Sequence, residues 1–112
     1  MTFSRAGDAR PAEIDHEDLV EALRLKSCAV VDVREVNEFA NGHIPGAINL
    51  PLSRFNPSDL PSDKPVVLVC QAGGRSAKAL QRAREAGLSA VCHYPPGTNG
   101  WRARGGETED GG

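Results

Sequence analysis

Cys70 opens the stretch Cys70-Gln71-Ala72-Gly73-Gly74-Arg75-Ser76, which puts a thiol, two adjacent glycines, a guanidinium and a hydroxyl within one tight loop. Gly73 and Gly74 allow positive φ, so successive backbone N–H groups can turn inward toward one point. A helix beginning just after them would aim its unpaired N–H groups and positive dipole end at the same place. A sulfur at the centre of that cradle would have its thiolate stabilised. A larger anion would be held equally well, whether a persulfide or a tetrahedral oxyanion. Arg75 adds a full charge at the rim, and Ser76 serves as helix N-cap and further donor. A nucleophile that is already ionised needs no separate general base. The loop is read as built to expose its cysteine.

The other two cysteines sit differently. Cys28 opens the apolar run Cys28-Ala29-Val30-Val31, and Cys92 lies inside Val91-Cys92-His93-Tyr94. Both read as small buried hydrophobes. The three cysteines form no CxxC pair and no zinc-like spacing with His16, His43 or His93, so neither a metal nor another cofactor is expected. An odd cysteine count argues for free thiols in a reducing compartment. The first residues carry no apolar signal core, and no apolar run is long enough to span a bilayer. The expected location is therefore cytoplasmic, with no membrane partner. The net charge of −2 hides a basic segment, residues 71–104, where Arg75, Lys78, Arg82, Arg84, Arg102 and Arg104 face only Glu85. That segment contains the candidate loop and favours a small anionic substrate. It is too small and too poor in aromatics to suggest nucleic acid.

These side chains need a scaffold, and the flanking pattern supplies one. Val66 to Val69 is an unbroken apolar run ahead of Cys70, as in a strand buried on both faces of a parallel sheet. The alanine-rich run after the loop is helical and closes at Gly87. A cysteine at the C-terminal end of such a strand stands where open α/β sheets place their ligands. Upstream, Asp15 is an N-cap for a helix from about 16 to 26, with Ile14 and Leu19 at staple positions. Cys28 to Val33 reads as a strand and Glu35 to Asn41 as a short helix, where Arg34 and Glu38 can pair. His43 to Pro51 reads as a turn feeding a short strand, and Leu52 to Phe55 as one helical turn. Leu88 to Tyr94 is the last strand and Trp101 to Arg104 a terminal helix. Alternating strands and helices predict an α/β domain with a mostly parallel central sheet and helices on both faces. The expected organisation is a flexible N-terminus at 1–12, the domain at 13–104, and a disordered acidic, Gly-rich tail at 105–112.

The pieces Asp32-Val33-Arg34, Glu38-Phe39, Gly42 to Pro51, Val66 to Ala77 and Gly97 to Gly105 occur in an order and spacing that resembles a single-domain rhodanese, a sulfurtransferase family. The resemblance spans roughly residues 14–104 and implies a rhodanese-like fold. It further implies that Cys70 accepts a sulfane sulfur from a donor such as thiosulfate, holds it as a persulfide, and yields it to a thiophilic acceptor: cyanide, a thiol or a partner protein. Gln71, Ala72, Gly73, Gly74 and Arg75 would form the anion-cradling loop, with Ser76 opening the helix. Asp32 and Arg34 are expected to tie the sheet end to the 42–51 turn, Arg34 to pair with Glu38, and His43 to fix that turn rather than exchange protons. Trp101 is expected to pack the C-terminal segment. The main rivals are a catalytically silent rhodanese-like binding or sulfur-relay module and a cysteine phosphatase or arsenate reductase. Phosphatase loops place five residues between cysteine and arginine, whereas Cys70 and Arg75 have four between them.

Overall fold

The computed structural model describes residues 12–111 of the chain. The expected flexible N-terminus lies outside the described residues except for Ala12. Four parallel strands form one sheet: β1 (Ala29–Asp32), β2 (Ile48–Asn49), β3 (Val66–Val69) and β4 (Val91–His93), in the spatial order β2-β1-β3-β4. The helices are α1 (His16–Leu25), α2 (Val36–Ala40), α3 (Gly74–Glu85) and α4 (Gly97–Ala103), with short 3₁₀ turns at Leu52–Arg54 and Pro57–Asp59. Parallel strands require crossovers, and the helices supply most of them. At the β4 edge, the Ile14 amide donates to the His93 carbonyl at 3.0 Å and the His93 amide to Ala12 at 2.7 Å, which covers part of an otherwise open edge.

Strand alternation divides the core in two. Val67 and Val69 point to the side occupied by Leu19 and Ala22 of α1, Phe39 of α2 and Trp101 of α4. Val66, Leu68 and Cys70 point to the other side, against Ala79, Leu80 and Ala83 of α3. Helices therefore cover both faces, as the pattern of the sequence predicts. All four residues of β3 are buried, which accounts for a run with no polar position. The same alternation turns Cys70 toward the N-terminal end of α3.

Three expectations change. Asp15 caps α1 by accepting the Asp18 amide, but the last strand is only Val91–His93, with 88–90 exposed before it. Arg34 does not pair with Glu38. Its guanidinium instead grips Asp32 with both Nε and Nη2 (3.0 and 2.8 Å) and donates to the Gly42 carbonyl at 2.8 Å. Asp32 is fully buried at the end of β1, so its carboxylate requires the nearest guanidinium, and the two-residue spacing delivers it. This arrangement does tie the sheet end to the 42–51 turn.

The tail is the third change. Residues 105–111, expected to be disordered, dock on the domain: the His43 and Glu109 backbones exchange two 2.9 Å hydrogen bonds, and the Gly111 amide donates to Ala40. The Trp101 indole N–H donates to the Glu107 carbonyl at 2.7 Å. Low hydropathy hid this because the contacts are made by the tail's backbone rather than by apolar side chains. His43 is thereby enclosed. Its ring stacks on Phe39 with centroids 3.6 Å apart, its Nδ1 meets the Phe39 carbonyl at 2.8 Å, and its Nε2 lies 3.5 Å from Glu109. These contacts join the turn to α2 on one side and to the tail on the other.

Candidate active site

The site is assembled at the C-terminal end of β3. Cys70 is almost completely buried, with a relative exposure of 1%, so the loop wraps the thiol instead of exposing it. The Gly73 amide donates to the Cys70 sulfur at 3.0 Å. Ser76 Oγ lies 3.6 Å from the same sulfur. Burial pushes the Cys70 thiol upward. The Ser76 hydroxyl and the amides of Ser76, Ala72 and Gly73 pull it down by more, leaving it below the usual thiol value. Cys28 and Cys92 have no such compensation. Burial raises both, Cys92 to about 12.

The loop's shape depends on Gly73, whose φ of +102° no L side chain adopts without strain. Gly73 stands at the N-cap of α3, and the helix begins at Gly74. Ser76 is therefore inside the first turn rather than at the cap. Its hydroxyl approaches the Gly73 carbonyl at 3.2 Å and the His93 ring at 2.9 Å. Gln71, Ala72 and Gly74 are exposed around the opening. From below, the start of α4 holds the loop. The Thr98 amide donates to the Cys70 carbonyl at 2.9 Å, and the Asn99 amide to the Gln71 carbonyl at 3.1 Å. Gly97 makes this approach possible, since a Cβ there would collide with the carbonyls of Cys70 and Gln71.

Arg75 is partly exposed beside the loop, but its charge is not free. Its guanidinium binds both carboxylate oxygens of Glu38 at 2.6 and 3.0 Å. Arg75 first of all, then the Glu35 amide, outweigh burial and hold the Glu38 carboxyl at about 2. Glu38 is thus a loop contact from α2 and not a partner of Arg34. In the sequence these two pairings compete, and the i,i+4 spacing favours the wrong one.

One residue that supports the site, His93, escapes a motif-based reading: its ring meets the Ser76 hydroxyl beside the sulfur. His93 aligns with Leu68 across the β3–β4 ladder and therefore shares the face on which Leu68 and Cys70 lie. Period-two alternation counted forward from Val91 is the signal that could have found it.

Fold and site together define a parallel α/β domain that presents a strand-end cysteine to a ring of amide donors. The chain belongs to the rhodanese-like family: the rhodanese-like domain matches residues 15–104. It is 44% identical over 89 residues to an uncharacterized protein, slr1261, of Synechocystis, covering 77% of this chain and 50% of that one. It is 39% identical over 87 residues to the thiosulfate sulfurtransferase GlpE of Shewanella oneidensis, covering 74% and 84%. Among solved structures, a rhodanese-related protein of Thermoplasma volcanium superposes with a TM-score of 0.77 at 32% identity, covering 87% and 96%. The chain spans about half the length of slr1261 and 62% of that of YqhL from Bacillus subtilis. Among the described residues no helix is long and apolar enough to cross a membrane.

Proposed function

We propose that the protein is a cytoplasmic sulfurtransferase that carries sulfur on Cys70. The carrying observation is the thiol itself: enclosed, lowered in pKa, and hydrogen-bonded by the Gly73 amide at 3.0 Å. In the first step the Cys70 thiolate attacks the outer sulfur of thiosulfate. The S–S bond of the donor breaks, and sulfite leaves with its electron pair. The terminal sulfur of the resulting persulfide is anionic, and the amides of Ala72, Gly73 and Ser76 are the donors available to it. In the second step a thiolate, cyanide or a partner protein's cysteine attacks that sulfur and displaces Cys70 as thiolate. Electrons balance in each half-reaction, and no metal or cofactor is called for.

The name of GlpE supports thiosulfate as donor, and that of the Bacillus subtilis relative YrkF, a putative sulfur carrier protein, supports a protein acceptor. Binding of Arg75 by Glu38 counts against the phosphatase alternative, because such chemistry needs the guanidinium on the phosphoryl oxygens. The test is intact-mass measurement after incubation with thiosulfate. A gain of one sulfur atom, located on the Cys70 peptide and lost in Cys70→Ser, is the expected result. No gain from thiosulfate or any other sulfane donor would leave a silent binding module.

A further inference from the structure

Ser76 Oγ has one hydrogen and three acceptors around it: the Cys70 sulfur at 3.6 Å, the Gly73 carbonyl at 3.2 Å and His93 Nδ1 at 2.9 Å. Which one receives that hydrogen decides how well a thiolate is held. Ser76 is fully buried, so water is a poor substitute partner for its hydroxyl, whereas His93 keeps a 7% exposed edge. Of the three, the imidazole makes the shortest contact with the hydroxyl, and its nitrogen can serve either as acceptor or, once protonated, as donor.

We infer that His93 is a positioning residue for the Cys70 thiolate, acting through the Ser76 hydroxyl. In the thiol state, Cys70 S–H donates to Ser76 Oγ, and Ser76 O–H donates to an unprotonated His93 Nδ1. In the thiolate state the chain runs the other way: His93 Nδ1–H donates to Ser76 Oγ, and Ser76 O–H donates to the sulfur. In the change, the thiol proton passes to Oγ and the Ser76 proton passes to Nδ1, so the pair Cys–SH and imidazole becomes Cys–S⁻ and imidazolium. A neutral ring results when the Nε2 proton is afterwards given to water. Both chains are complete, but they are not equally strong. Bonds to an ionised acceptor are shorter and about twice as strong as neutral ones, and each donor in such a chain strengthens the next. His93 thus favours the thiolate.

The surroundings agree with this assignment. Burial lowers the proton affinity of the His93 ring, while the Glu13 carboxylate, from the segment paired beside β4, raises it. From β3 the ring's line of contact leads to Cys70, and from α3 it meets Ser76. Burial thus returns the ring to neutrality, and neutral imidazole has one N–H to place, on the nitrogen that the state of the sulfur selects.

The inference rests on the sulfurtransferase reading of Cys70, but its test does not. Peptide-resolved alkylation of Cys70 by iodoacetamide across pH reports the thiol's ionisation whether or not the protein transfers sulfur. His93→Leu is expected to raise the apparent Cys70 pKa by about half a unit to one unit. On a Ser76→Ala background the same change is expected to shift it no further. His93→Asn, whose amide can also donate to Oγ, is expected to restore part of the difference and serves if the leucine variant does not fold. An alkylation profile for the His93 variants that superposes on that of the wild type would overturn the inference. So would a shift as large without Ser76 as with it. Failure of sulfur loading with the pKa shift intact would instead strike the proposed activity and leave the positioning role standing.

Discussion

Gly73 and Gly74 are chemically identical neighbours for which the structure demands opposite responses to alanine. At Gly73 the backbone has φ +102°, and an added Cβ would lie 2.6 Å from the Pro95 carbonyl oxygen. An L residue forced toward left-handed backbone costs about 1–2 kcal/mol, and displacing a backbone carbonyl brings the total to roughly 2–4 kcal/mol. The shift also pulls the Gly73 amide off the sulfur. A hydrogen bond to an ionised group is worth about 1.5–3 kcal/mol, so the Cys70 thiol should rise by roughly one to two pKa units. At Gly74 a Cβ meets nothing within 4 Å, and the residue is the first of α3. Alanine there should be neutral or stabilising by at most about 1 kcal/mol. Urea denaturation gives the first quantity, and the pH dependence of Cys70 alkylation gives the second. If Gly74→Ala proved as damaging as Gly73→Ala, or if Gly73→Ala left both quantities unchanged, the account of the loop as a conformationally fixed ring of donors would be wrong.

Arg34→Ala strands the Asp32 carboxylate in the core and should cost about 3–5 kcal/mol in urea unfolding; a loss below about 1 kcal/mol would contradict the buried pairing. The Glu38 carboxyl is lowered from its usual 4.5 to about 2 by Arg75, so its contribution is complete above the upper value and disappears as pH falls toward the lower one. Glu38→Gln should therefore flatten acid unfolding across that window, and an acid limb as steep as the wild type's would refute the clamp. Ending the chain at Gly106 removes the carbonyl that accepts the Trp101 N–H. Stability should fall by about 1–2 kcal/mol, and the emission of this sole tryptophan should shift to the red, whereas unchanged emission would show the tail to be idle.

Much of the fold is readable in advance because the sequence encodes it locally. The Val66–Val69 run has no polar position because both its faces are covered, and Asp15 caps α1 by local hydrogen bonding. The candidate loop is also legible, since Cys70, the paired glycines and Arg75 are contiguous. What the sequence conceals is pairing at a distance. Arg34 has carboxylates at Asp32 and Glu38 within reach, and only burial of Asp32 decides between them. Arg75 reaches Glu38 across the sheet, and His93 reaches Ser76 from another strand. Backbone-mediated docking leaves no composition signal at all, which is why residues 105–111 look unstructured when read as text.

The hold of α4 on the loop has a geometric corollary. In a trans peptide unit the carbonyl and the N–H that follows it point in opposite directions. When Asn99 fixes the Gln71 oxygen on one side, the Ala72 hydrogen is thereby aimed at the other, toward the sulfur. The plane linking Cys70 to Gln71 is fixed likewise by Thr98. The acidity of the thiol is thus governed in part from a helix with no atom in the loop, and variation at 97–99 could retune it while every letter from Cys70 to Ser76 stayed the same.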